Sequence, residues 1–125
     1  MPRRGGGFLM EFDAVREVAR SLRGIEESAS RGVWSLKFRG KVLACPAINK
    51  SAEPDSLVVK LGFDQRAELI AADPDVYYVT DHYVKYPSVL VRMSRIHRDA
   101  LRGLLDMAMK FVSDESNPVR RGRAT

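Results

Sequence analysis

A stretch in the first half of the chain, residues 33–45, constrains the fold most, because its side chains alternate as a β-hairpin requires. The alternating residues are apolar Trp34, Leu36 and Phe38 and polar Ser35, Lys37 and Arg39. A period of two places these sets on opposite faces of a strand. Gly40 and Lys41 fit a two-residue type II′ turn. The partners that this turn predicts are Phe38 with Leu43 and Leu36 with Cys45. The pattern therefore predicts an antiparallel hairpin with one apolar face and one exposed, basic face.

The other elements follow from helical and strand periodicity and from the residues that end them. Beyond the hairpin, helices are predicted over residues 11–22, 64–72 and 99–112, and strands over residues 56–62, 76–80 and 88–93. Gly24 ends the first helix, Asp64 caps the second, and Pro74 stops it. Residues 25–30 fit a short irregular strand that leads into the hairpin.

This element order, α-β-β-β-α-β-β-α, predicts an α+β domain, because hairpin connections require antiparallel pairing. We expect a single antiparallel sheet of about five strands with three helices mainly on one face, which makes a two-layer sandwich. A chain of 125 residues is long enough for one domain with its own core. The domain is predicted to span residues 8–113, with disordered basic tails over residues 1–7 and 114–125.

The net charge of +5 comes from the two ends of the chain. The residues responsible are Arg3, Arg4, Arg120, Arg121 and Arg123. The remainder of the chain is neutral, but its charges are sorted along the sequence. Residues 28–52 and 82–98 contain no acid, whereas residues 53–81 carry seven acids. The hairpin and the loop near residue 83 are therefore both basic.

The residue inventory favours a protein without catalytic activity. Glycine-rich phosphate-binding motifs and the nucleophile elbow of hydrolases do not occur, and His82 and His97 lack metal-ligand spacing. We therefore predict no enzymatic activity, no cofactor and no metal site. Cys45, the single cysteine, excludes an intrachain disulfide, suits a reducing cytoplasm and is predicted to be a small core residue. The apolar runs are too short to span a membrane.

The two basic stretches offer cations and planar side chains suited to a nucleic acid backbone. The residues predicted to contact DNA are Arg31, Lys37, Arg39 and Lys41 in the first stretch and His82, Tyr83 and Lys85 in the second. A two-stranded ribbon fits the major groove, and a loop can follow the phosphates. No helix suited to base recognition is present, so we predict little sequence specificity. The alternative is a protein-interaction or small-ligand-binding module whose lysines serve only solubility.

Several segments together resemble the YjbR/MmcQ family of small bacterial proteins. The matching segments are FRGKVLA at 38–44, LVVKL at 57–61, VYYVTDHY at 76–83, YPSVLVR at 86–92 and ALRGLL at 100–105. The resemblance covers most of the predicted domain and implies a "double wing" fold, similar in outline to the frataxin-like sandwich and described as DNA-binding. The wings correspond to the turn at residues 40–41 and the loop at residues 81–87. Met109 stands where relatives commonly have a tryptophan.

Overall fold

A computed structural model of the chain describes residues 5–30 and 32–115. Its elements are α1 (Gly5–Arg20), β1 (Ile25–Ser30), β2 (Val33–Phe38), β3 (Lys41–Pro46), β4 (Ser56–Lys60), α2 (Phe63–Ala72), β5 (Tyr77–Tyr78), β6 (Ser88–Arg92) and α3 (Arg98–Glu115). Three helices and one antiparallel sheet confirm the predicted α+β class.

The helices extend beyond the predicted limits of the domain at both ends. Helix α1 begins at Gly5, three residues before the predicted start at residue 8. Glycine has a low helix propensity, but it adopts helical dihedral angles without steric penalty, so the helix can include Gly5, Gly6 and Gly7. Helix α3 ends at Glu115 rather than at residue 113. The rest of both predicted tails lies outside the described residues.

The sheet has six strands in the order β1-β2-β3-β4-β6-β5, and every neighbouring pair is antiparallel. The extra strand is β1, which pairs with β2 along its full length from Ile25 to Ser30. Strands β1 to β4 form a meander. Helix α2 then carries the chain to β5 at the far edge, and β6 returns between β4 and β5. Strands β1 and β5 are therefore the edges, and β3 and β4 are central.

The hairpin turn lies one residue earlier than predicted. Phe38 pairs with Lys41, so the turn residues are Arg39 and Gly40. Both have positive φ, 54° and 81°, as a type I′ turn requires, and this turn matches the right-handed twist of the flanking strands better than other types. A bulge then shifts the register between Leu36 and Lys37. The resulting pairs are Lys37 with Val42 and Leu36 with Ala44 rather than with Cys45.

This bulge changes the environment of the cysteine. Ala44 pairs with Val59, and both are buried in the main core. Cys45 pairs with Val58, so alternation turns both residues toward the opposite face. The prediction that Cys45 is a core residue is therefore wrong, because the register shift moves it to the other side of the sheet, where it is half-buried.

Helices α1 and α3 pack on each other and cover one face of the sheet. The α3 residues buried there are Leu101, Leu104, Leu105, Ala108 and Val112. From the sheet, fully buried residues such as Leu57, Val59, Val89 and Val91 join this core. We call the other face of the sheet, which includes Val33, Cys45 and Val58, the open face. None of the helices in residues 5–30 and 32–115 is long and apolar enough to cross a membrane.

Helix α2 begins earlier than the predicted cap. Its N-cap is Gly62, whose backbone N–H donates to the Gln65 side chain at 3.3 Å, and Asp64 lies in the first turn instead. Leu69 and Ile70 pack partly against the core. Phe63, the first residue of the helix, is 50% exposed. The helix therefore presents an aromatic ring to solvent next to the end of β4.

Candidate nucleic-acid interface and open-face cavity

The cations of the first hairpin are divided between the two faces of the sheet. Lys37 lies on the open face, directly opposite Glu26 of β1. Lys41 is exposed. Arg39 folds toward α3, where its Nη1 donates to the Ser113 hydroxyl at 3.1 Å, and its guanidinium carbon lies 4.9 Å from the centroid of the neighbouring Phe38 ring. Arg31, also predicted to contact DNA, lies outside the described residues.

The second basic loop is held in place by Arg66 of α2. Its guanidinium donates to the backbone carbonyls of Val84, Tyr86 and Ser88 at distances of 3.0 to 3.1 Å. The backbone N–H of Leu61, just after β4, also donates to the Pro87 carbonyl at 3.0 Å. The returning half of the loop is therefore fixed beside the start of α2. Sequence analysis missed Arg66, because its acceptors are backbone atoms about twenty residues away.

The hairpin turn and this half of the loop lie at the same end of the sheet. Lys60, the last residue of β4, lies opposite Ser88, the first residue of β6. The pairing of Ala44 with Val59 places the start of β3 at that end as well. Neighbouring strands are about 4.8 Å apart, so β3 and β6 are separated by about 10 Å. We call this end the basic end and define it by Lys37, Arg39, Lys41, Lys60 and Lys85.

The cations of the basic end have no carboxylate partner in the described part of the chain. Among the described residues, none of the five has a carboxylate oxygen within 4.0 Å. Five of the described cations on other surfaces do form ion pairs: Arg16 and Arg20 with Glu27, Arg92 with Glu53, Arg98 with Glu17 and Lys110 with Asp106. Arg92 and Arg98 belong to the second acid-free stretch, so folding neutralises part of the charge that the sequence appeared to leave exposed.

His82 and Tyr83 turn away from the basic end and cover the open face. The Tyr83 hydroxyl accepts a hydrogen bond from the backbone N–H of Asn49 at 3.3 Å, and the two rings make an edge contact at 4.8 Å. They line a cavity of about 460 Å³. Its lining residues are Val33, Cys45, Pro46, Ile48, Asn49, Val58, His82 and Tyr83. Val33 begins β2 and Pro46 ends β3, so the cavity lies toward the end of the sheet opposite the hairpin turn.

Three hydrogen bonds join the loop that follows β3 to β5 and to the loop after β5. Besides the bond from Asn49 to Tyr83, the Ser51 and Thr80 hydroxyls are 2.8 Å apart, and the Glu53 backbone N–H donates to the Tyr78 hydroxyl at 2.8 Å. Sequence analysis missed this contact, because two of the three bonds are donated by backbone N–H groups. These bonds also explain why β5 is only two residues long. After Tyr78 the chain leaves the sheet to meet the facing loop.

Charge and burial shift the pKa values of Glu53, Arg92 and Cys45. The Arg92 guanidinium bonds both oxygens of Glu53, at 2.9 and 2.7 Å, which lowers the pKa of that carboxyl and raises the pKa of the guanidinium. Arg92 also lies over the Tyr78 ring at 4.2 Å. Burial raises the pKa of the Cys45 thiol, so this side chain lines the cavity as a neutral group. The described residues contain no cluster of side chains suited to hold a metal ion.

Comparison with known proteins gives a structural relative. No family model and no curated protein sequence matches the chain. Among solved structures, the chain is similar to the Deinococcus radiodurans protein DR2400, whose domain is described as DUF419. The two share 20% sequence identity and a TM-score of 0.66, over 90% of this chain and 86% of the other. This likeness shows that the two proteins share a fold.

Proposed function

We propose that this protein is a non-enzymatic nucleic-acid-binding protein of the YjbR/MmcQ-like family, which contacts the phosphate backbone through its basic end. The single observation that carries the proposal is the grouping of unpaired cations at one end of the sheet. Among the described residues, none of the five cations of the basic end has a carboxylate partner, whereas five cations elsewhere on the surface are paired with carboxylates. Unpaired surface cations are the groups that replace counterions on a polyanion.

The position of these cations supports the same function. Lys41 lies at the start of β3, and Lys85 lies two residues before the segment that joins Leu61. Because β4 alone separates β3 from β6, the hairpin turn before β3 and the loop before β6 can both reach the phosphate backbone of one nucleic acid. In this proposal Lys37, Arg39, Lys41 and Lys85 keep their predicted role and Lys60 joins them. His82 and Tyr83 belong to the cavity instead. We expect little sequence preference, since phosphate contacts carry no base information.

The test is the salt dependence of binding to a DNA oligonucleotide. Each lost phosphate contact should reduce the slope of log affinity against log salt by about 0.9 on duplex or about 0.7 on a single strand. We expect Lys41→Ala and Lys85→Ala each to weaken binding and to reduce this slope on unrelated sequences. The matched control is Lys50→Ala, which removes an exposed lysine from the loop that follows β3.

A second variant separates the basic end from the arginine-rich termini. Replacing the five terminal arginines with glutamine removes the tail charge and leaves the basic end unchanged. The tail residues are Arg3, Arg4, Arg120, Arg121 and Arg123. If this variant binds no nucleic acid at low salt, or if Lys50→Ala weakens binding as much as Lys41→Ala, the basic end is not the binding surface.

The cavity supports a second candidate function, binding of a small ligand. Val33, Val58 and Pro46 supply apolar walls, and the side-chain amide of Asn49 and the hydroxyl of Tyr83 supply hydrogen-bond donors. A ligand with an apolar body and one acceptor group fits this combination, and the volume is within the usual range for small-molecule sites.

Benzoate is a suitable probe of this candidate function. We expect it to shift amide resonances of Asn49 and Tyr83, and Val58→Phe, which fills the cavity, to abolish those shifts. Unchanged resonances at millimolar benzoate would count against this candidate.

A further inference from the structure

We infer that the basic end binds single-stranded nucleic acid, with bases stacked on the rings of Phe63 and Tyr86. This inference rests on the proposed function and names the form of nucleic acid that the surface accepts. The observation behind it is a group of exposed apolar side chains beside the unpaired cations. The large hydrophobic residues exposed in the described part of the chain are Val42, Ile48, Phe63, Val84 and Tyr86.

Three of these residues meet around a single guanidinium. Arg66 lies over the Phe63 ring, with 5.0 Å between the guanidinium carbon and the ring centroid. The same guanidinium donates to the carbonyls of Val84 and Tyr86. Because one side chain is fixed to all three residues, their relative positions are fixed too. Single exposed hydrophobic residues are common on protein surfaces, but a group held together in this way indicates a contact surface.

Neither ring is needed to complete the core. Phe63 is 50% exposed and Tyr86 is 48% exposed, and neither packs against the main cluster of buried residues. Helix α2, which begins at Phe63, has no fully buried residue. Arg66 covers one face of the Phe63 ring, so its exposed area is available to another planar group. The rings therefore contribute less to stability than rings of their size normally do.

Each ring also has a cation beside it. Arg66 stacks on Phe63, and the Lys85 ammonium lies 5.6 Å from the centroid of the Tyr86 ring. Lys60 ends the strand that lies just before Phe63 in the chain. Surfaces that bind single strands combine a cationic path for the phosphates with aromatic rings for successive bases. In an intact duplex the base faces are already stacked on one another, so these rings would have no partner there.

The experiment compares three oligonucleotides of about 12 nucleotides, because sites on such surfaces span about 4–16 nucleotides. One is oligothymidine, the second carries the same phosphates with abasic sugars, and the third is a duplex. We expect the full chain to bind oligothymidine more tightly than the other two. Phe63→Leu and Tyr86→Leu should each weaken oligothymidine binding by about 5- to 150-fold, the usual loss for one stacked base. Binding of the abasic strand should not change.

Controls separate stacking from apolar contact and from misfolding. Ile48→Leu alters the most exposed hydrophobic residue, 78% exposed and outside this group, and should leave binding unchanged. Tyr86→Phe keeps the ring and should bind as the natural protein does. Far-ultraviolet circular dichroism should be the same for all variants, since both rings lie outside the core.

The outcomes distinguish this inference from the proposal on which it rests. If no oligonucleotide binds at low salt, the proposed function fails and the inference fails with it. If the abasic strand and duplex bind as tightly as oligothymidine, binding through phosphate contacts is supported and stacking is refuted. If the leucine variants bind oligothymidine normally, stacking is likewise refuted, and the apolar group is better explained as a contact for a protein partner.

Discussion

Gly24 is the position where a single methyl group should have the most clearly defined effect on stability. Its φ is +95°, a conformation that residues with side chains rarely adopt. A Cβ atom built on Gly24 would lie 2.9 Å from Cε1 of Phe38 and 3.3 Å from its Cδ1. Gly24 therefore combines backbone strain with a steric clash. Gly32 has a similar φ of +80° but has no atom within 4 Å of an added Cβ, so it provides the matched control.

The two substitutions by alanine share all contributions except the clash. A left-handed backbone costs a residue with a side chain about 1–2 kcal/mol. Loss of glycine's freedom in the unfolded chain offsets about 0.4–1 kcal/mol of that cost. Gly32→Ala should therefore reduce the free energy of unfolding by about 0–1.6 kcal/mol. Gly24→Ala must also displace a rigid ring, and overpacking of this kind costs about 1–3 kcal/mol more.

Urea unfolding followed by fluorescence is a suitable assay, because Trp34 is the single tryptophan and packs against the core. We expect Gly24→Ala to be about 1–3 kcal/mol less stable than Gly32→Ala, with the same slope of unfolding free energy against urea concentration. In a Phe38→Leu background the extra cost of Gly24→Ala should fall, since the ring atoms that clash are gone. Equal losses for Gly24→Ala and Gly32→Ala would refute the reasoning, because they would show that the ring moves aside without cost.

Three further predictions concern the ion pair, a strained loop residue and the core. The pKa of Glu53 is lowered in the fold from its ordinary value of 4.5, so its bond to Arg92 should stabilise the protein above pH 4.5 and lose this effect as the pH falls through the lowered pKa. The natural protein should therefore be more stable to urea than Glu53→Gln at neutral pH, and this difference should disappear in acid. Burial raises the pKa of Asp55 from its ordinary value of 3.8, so its charged form destabilises the fold at neutral pH. Asparagine also tolerates the φ of 65° at this position and carries no charge, so Asp55→Asn should raise the urea midpoint at neutral pH. This gain should vanish as the pH falls toward 3.8. Leu105→Ala opens a cavity at the fully buried face of α3 and should lower the free energy of unfolding by about 2–5 kcal/mol in the same urea assay. Arg102→Ala, on the exposed face of the helix, should lower it much less.

The predicted helices and most strands are present because their signals are local. In β2, Leu36 is fully buried and Trp34 and Phe38 pack against the core, as the alternation predicts. The spacing of apolar residues in α3 likewise identifies its buried face. The turn at Arg39 and Gly40 was misplaced by one residue, because several pairs of residues there could form a two-residue turn. Only pairing with β3 and its bulge decides between them.

The candidate site depended more strongly on contacts between distant residues. Sequence grouped His82 and Tyr83 with Lys85, since they are neighbours in the chain. In the structure the first two line the open-face cavity, whereas Lys85 lies beside Tyr86 near the basic end. Charge counting along the chain likewise placed Arg92 in an acid-free stretch, although it is paired with Glu53 in the fold. Proximity in sequence therefore did not predict which side chains share a surface.

Taken alone, the sequence determined the α+β class, the antiparallel hairpin and the location of the basic stretches, because periodicity and charge are properties of neighbouring residues. The tertiary structure alone decided the strand order, the bulge that turns Cys45 to the open face, and the ion pairs that leave only some cations without a partner. These features depend on pairing between segments many residues apart. Their energies come from packing and from hydrogen bonds that do not exist until the chain has folded.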